Sequence, residues 1–295
     1  DKGNQLMKII SYITPGQIKD NELSTTEDRD DEIIARLCLE ASRDLEMLAN
    51  GMWFYPIRET RYFDQQTNHY ELNLDMPLVE IITAVTANGD TTLTNGNLYL
   101  MRGPLYGTPA NKIAVDVNND DYFYSSTSGQ RANRITGEWG FIEHYPDCWL
   151  ETNVTLTSIS GNDFTVTGLG ARDALGLLGS LDRLSLIRWR NDSTENYEYD
   201  FVTAFSDTDQ YLTVYRGVNG SSNLTLDATA AIEVFRPDET IQHAARRLVG
   251  WYYRQKDSSR PDIDRAIHTN SGVVLPSSFP ADVVKVMRSY TEVLN

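Results

Sequence analysis

Apolar positions along the chain change period twice. Between Ile33 and Leu48 they recur at helical spacing, with Ile33, Ile34, Leu37, Cys38, Ala41, Leu45 and Leu48 on one face. Ser24-Thr-Thr-Glu27 matches a capping box, and the acids Glu27, Asp28, Asp30 and Asp31 suit a positive helix end. Asn50-Gly51 offers a left-handed stop, so the pattern predicts a helix over 26–50. From Thr60 the period shortens to two. Strands are predicted at 60–64, 69–74, 79–85, 98–100, 113–115 and 134–141, with a hairpin turn at Asn88-Gly89-Asp90 and an exposed loop over 116–134. Six further short strands, at 153–159, 164–166, 183–189, 197–202, 211–215 and 230–235, predict a small barrel or sandwich.

The helical period then returns. Ile241, Ala244, Ala245, Leu248, Val249 and Tyr252 form one stripe, which predicts a helix over 238–256 opened by Pro237-Asp238. Gly250 within it implies that another backbone presses close. A last helix is predicted over 280–294, with Val283, Val284, Met287, Tyr290 and Leu294 on one face. Residues 1–23 read as an N-terminal arm. The fold class expected is α+β: a small helical bundle with associated strands, plus an inserted all-β domain shaped as a barrel or sandwich. The core would take 24–150 and 236–295, and the insertion 151–235. The 238–256 helix should pack on the 26–50 helix. Off its stripe, Arg246, Arg247 and Arg254 become candidates for subunit pairing with Glu27, Asp28, Asp30 and Asp31.

Charge and composition narrow the function. The chain has 295 residues and a formal charge of −16, against a general nucleic-acid binder, whose surface must neutralise phosphates. It has no run of apolar residues long enough for a membrane span and no apolar N-terminal segment, so neither a span nor a signal peptide is expected. Cys38 and Cys148 read as two free thiols in a reducing compartment. The four histidines share no metal spacing, and Asp116-x-Asn118-x-Asp120 departs from a calcium loop at Asp121 and Thr127. No nucleophile elbow or phosphate loop is present, so no catalytic residue, cofactor or metal is assigned and a scaffold role is favoured.

Several stretches, taken in order, carry a resemblance: the Thr26–Leu48 helix, Trp53-Phe54, Thr60-Arg-Tyr-Phe63, Leu74-x-Met-Pro-Leu-Val-Glu-Ile81 and Ile135-Thr-Gly-Glu-Trp-Gly140. Ala-Ala-Arg-Arg-Leu248 through Lys256 and Phe279-Pro280-Ala-Asp-Val-Val284 continue it. Together the chain resembles the head-to-tail adaptor (connector) proteins of tailed bacteriophages, and Thr152–Phe235 looks like a β insertion of the larger members. The resemblance implies a structural virion protein of the neck, assembled in the host cytoplasm. Its copies would form a ring, usually of twelve, between the portal protein and the next neck or tail component. Genomic DNA would pass through the ring without sequence-specific binding. The resemblance also implies portal docking by the last helix, through Val283, Val284, Met287, Tyr290 and Leu294. A tail-associated or carbohydrate-binding β module would need aromatics aligned on an exposed face. A glycoside hydrolase would need two carboxylates facing across a cleft.

Overall fold

The computed structural model describes residues 11–23, 30–86, 91–102, 108–125, 128–170, 181–194, 196–256, 267–269, 272–274 and 279–291. The fold class departs from the expected one. The chain is mostly β: two antiparallel six-stranded sheets dominate it, helix accounts for only 27% of the described residues, and there is no helical bundle with a β insertion. The reason lies in the middle of the sequence, where the strands expected to decorate a bundle carry a core of their own. Two compact units result: one takes 52–181 and 186–238, the other 10–51, 182–185 and 239–295.

The first sheet of the β unit contains β1 (Ile57–Phe63), β2 (Glu71–Thr86), β3 (Thr91–Leu93), β4 (Leu98–Arg102), β5 (Ala110–Val115) and β6 (Asn133–Trp139). Its order is β1-β6-β2-β5-β4, with β3 also on β2. β2 joins the two strands expected at 69–74 and 79–85. Pro77 does not break it, because it falls in an irregular stretch of the ladder: Glu71–Asn73 pair with β5, Leu78 pairs with both β5 and β6, and the pairing with β6 runs on to Val85. The strand bends so far that one segment bonds near both its ends, the Phe123 N–H donating to the His69 carbonyl and the Tyr124 N–H to Thr86 Oγ1. Leu72, Leu78, Ile113, Ile135 and Trp139 fill the enclosed core, each 0% exposed, and Trp139 stacks on Phe63. The turn expected at Asn88-Gly89-Asp90 lies outside the described residues, although β2 and β3 pair on either side of it.

The second sheet closes into a barrel of β7 (Trp149–Ser160), β8 (Asp163–Thr167), β9 (Leu186–Arg190), β10 (Tyr197–Ser206), β11 (Tyr211–Tyr215) and β12 (Ala230–Phe235). The strands run β10-β11-β8-β7-β12-β9, and β9 returns to β10. All six strands expected here are observed, and closure leaves no open edge. Leu156, Phe164, Ile187, Val202, Leu212, Ile232 and Val234 make its interior.

The helical unit contains α1 (Pro15–Ile18), α2 (Asp31–Leu48), α3 (Glu239–Lys256) and α4 (Ala281–Thr291). α2 starts later than expected, and Ser24–Glu27 lie outside the described residues; Asn50 and Gly51 end it with φ of 58° and 81°. The stripe residues Ile34, Cys38, Ala41 and Leu45 of α2 are buried, as are Ile241, Ala245, Leu248 and Val249 of α3, and the two helices pack together as expected. Part of the expected arm belongs to this core: the Tyr12 hydroxyl donates to Glu46 at 2.7 Å, and Thr14 caps α1 with Gln17. A short hairpin, β13 (Ile267–Thr269) with β14 (Gly272–Val274), was not expected. Cys38 and Cys148 are free and buried, and burial pushes the Cys148 thiol up to about 12. No helix among the described residues is long and apolar enough to cross a membrane.

Gly250 faces a carboxylate rather than the backbone expected. A Cβ there would sit 3.3 Å from Glu22 Oε2, the movable end of a side chain. Gly250→Ala is therefore expected to stabilise the protein by up to about 1 kcal/mol, the helix-propensity difference, in thermal unfolding.

Candidate functional site

The densest polar chemistry in the β unit gathers around β10, whose alternating side chains point to two different places. Tyr199 points away from the barrel interior toward the first sheet. Glu198, Asp200 and Val202 point inward, where Val202 is part of the barrel core.

On the outward side, β1, β6 and β2 place Arg58, Glu138 and Glu80 in one cross-strand row. Glu138 is 2% exposed. Its carboxylate accepts from Arg58 Nη2 at 2.8 Å and from the hydroxyls of Tyr145 and Tyr199, which lie 3.2 Å from each other. Burial, then the negative charge of Glu138, raise the Tyr145 hydroxyl well above the ordinary tyrosine value. Burial is also the main cause at Tyr199, followed by Tyr145 and Glu138. Glu80 reaches solvent, yet partial desolvation and the neighbouring Glu138 still push its carboxyl up. Beside the row, Tyr199 stacks on Trp149, and Arg188 lies over the Trp149 and Tyr197 rings while pairing with Glu233. Both tyrosines stay protonated and donate, so the cluster is a fixed set of hydrogen bonds joining two sheets that share no strand.

On the inward side, Glu198 and Asp200 are each 0% exposed. Arg216 grips Glu198 with two bonds of 2.7 Å. Asp200 accepts from Trp189 Nε1 at 2.9 Å and from the Gly217 N–H at 3.0 Å. Arg216 Nη2 also donates to the Leu224 carbonyl, and the Leu224 N–H donates to Glu198, so the loop 216–225 is bound from both ends. At its turn Asn219, with φ of 53°, is fully buried, and residues 218–220 lie against β1.

No family model matches the chain, and no curated protein is significantly similar to it.

The residues expected to carry contacts lie elsewhere. Glu27, Asp28 and Leu294 fall outside the described residues. Asp30 accepts from the Tyr253 hydroxyl at 2.6 Å and Asp31 from Lys19 at 2.8 Å. Arg247 donates to Asp282 at 3.0 Å, and Arg254 lies 4.0 Å from Glu22. Arg246 is half-buried on α3. On α4, Val283 and Met287 are 2% and 0% exposed, core residues of their own unit, while Val284 and Tyr290 are half-buried. Among the described residues, Asp30, Asp31, Arg247 and Arg254 thus make these contacts within one chain. Asp116 makes a turn, accepting from the Asn118 N–H and side-chain amide, and no three metal-type side chains cluster among the described residues.

Arg58, Glu138, Tyr145, Tyr199, Glu198, Asp200 and Arg216 were missed as a group. One signal was present in the sequence. Glu198 and Asp200 sit in a strand opposite Trp189, and Arg216-Gly217 follows the next strand, so a charged residue stands ready to enter a barrel. Chemically the arrangement can hold rigid shape, and the Glu198 and Asp200 carboxyls are buried inside the barrel rather than facing across an open cleft.

Proposed function

We propose that this chain is a structural virion protein of the head-to-tail adaptor type, assembling as a ring between portal and tail. The observation that carries the reading is the composition of its units. One helical unit is made from the two ends of the chain through α2–α3 packing, and the middle of the chain forms the β unit with its closed barrel. Three helices that carry the resemblance, α2, α3 and α4, share that helical unit. The charge of −16 supports a DNA conduit, since like charge keeps passing DNA from sticking to the walls. In this reading the Glu138 cluster and the 216–225 loop are stiffening elements, as a part loaded by DNA passage requires.

A carbohydrate-binding β module is the second reading, favoured by one feature: a groove of about 440 Å³ on the barrel, lined among others by Glu151, Thr152, Arg190, Asp192 and Tyr197. Its size suits a small ligand. Negative-stain images of the purified protein, alone and with portal rings, test both readings. Rings, or joint portal–adaptor rings, are expected. Persistent monomers that gain thermal stability with added saccharides would overturn the adaptor reading in favour of the second.

A further inference from the structure

We infer that Asp200 keeps its proton in the folded barrel, beside Glu198, and that this proton latches the loop 216–225 against rising pH. The argument begins with a count of charges. Two carboxyl groups, two positions apart on the inward face of β10, are each 0% exposed. One guanidinium, Arg216, faces the pair; two of its bonds go to Glu198 and the third to the Leu224 carbonyl, none to Asp200. Asp200 receives only neutral donors, the indole of Trp189 from β9 and the backbone N–H of Gly217 from the loop. With Arg216 committed to Glu198, an ionised Asp200 would be a second buried negative charge without a counter-ion, and such groups stay neutral instead. Burial first, and the charge of Glu198 second, hold the Asp200 carboxyl well above the usual aspartate range, in agreement with that count.

The proton matters for the loop because the same atoms hold it. Gly217 donates to Asp200, and Leu224 both donates to Glu198 and accepts from Arg216. Ionising Asp200 sets two like charges against each other beneath those backbone bonds. The loop in turn carries residues 218–220 against β1, so its release would also loosen the joint between barrel and first sheet.

The sign follows from linkage. Asp200 has a raised folded-state pKa, so unfolding releases its proton once the pH passes the ordinary aspartate value of about 3.9. This contribution is fully present below that pH and is lost as pH rises toward the folded value. Inside the window each pH unit should lower the folding equilibrium constant about tenfold.

Two measurements test this on the full chain. In carbon-detected NMR of the wild type, Asp200 Cγ should show the protonated shift at pH 5.5. In urea unfolding from pH 4.5 to 8, the wild type should lose up to about tenfold per unit relative to Asp200→Asn, which mimics the protonated acid. Across the same pH range, the Gly217 and Leu224 amides of the wild type should exchange faster than intrinsic chemistry predicts, ahead of the barrel strands. An ionised Asp200 at pH 5.5 overturns the proposal whether or not the variant folds. Parallel stability profiles of wild type and variant overturn it as well, and loop exchange that keeps step with the strands overturns the latch.

Discussion

Glu138→Ala is expected to lower the unfolding free energy by about 3 kcal/mol, the lower end of the usual cost of breaking a buried ion pair from one side. Arg58 and the hydroxyls of Tyr145 and Tyr199 lose their common acceptor at once. The Arg58 side chain is 22% exposed, so its abandoned charge reaches some water, which argues against the upper end of the range. Glu138→Gln keeps the volume and one acceptor oxygen, so about 1–2 kcal/mol is expected for it. The alanine variant should also split urea unfolding into two phases, since the cluster joins two sheets that share no strand. Circular dichroism and tryptophan fluorescence, followed together, report both effects; a wild-type midpoint for Glu138→Ala would show that the cluster does not hold the joint.

Gly137→Ala should cost as much through space alone. A Cβ on Gly137 would lie 2.4 Å from the Glu80 carbonyl oxygen and 2.8 Å from Leu78 Cδ1. The oxygen belongs to the backbone of β2, held in the ladder to β6 by pairs on both sides of Glu80, so it has little room to retreat. Overpacking a well-fitted site costs roughly 1–3 kcal/mol, and a rigid backbone neighbour points to the upper bound or a failure to fold. Comparison with Gly250→Ala, where the neighbour is a side-chain tip, makes the contrast measurable by thermal unfolding. A Gly137→Ala protein as stable as the wild type would place β6 farther from β2 than the structure has it.

The helices and the barrel strands were legible because each follows from local period: Ile241, Ala245 and Leu248 mark a stripe wherever they occur. The fold class was not, because periodicity says nothing about which elements share a core. The short strands between 57 and 139 looked like attachments to helices, yet Leu72, Ile113 and Trp139 enclose their own interior. Alternation was silent about faces at β10. Tyr197-Glu-Tyr-Asp-Phe-Val202 reads as a strand, but the pattern does not say that Glu198 and Asp200 face inward or that Tyr199 meets Glu138. Ile135-Thr-Gly-Glu-Trp-Gly140 stood out as a motif without showing its work. Gly137 clears the Glu80 backbone, Glu138 binds the joint, Trp139 fills the core, and Gly140 turns at a φ of 148° against the Tyr55 carbonyl. Those partners lie far off in sequence, beyond any local pattern.

The two-sided loading of β10 also makes its alignment self-correcting. Sliding the strand by one position would carry Tyr199 into the barrel and turn Glu198 and Asp200 toward Glu138, gathering three acids where Arg58 already has a partner. Arg216 would be stranded within, facing an aromatic ring instead of a carboxylate. Electrostatics thus rejects the slipped pairing twice, once inside the barrel and once outside. A chain with several short, similar strands needs such a proofreader, and the register of this barrel is checked at the strand whose Tyr199 reaches Glu138 of the first sheet.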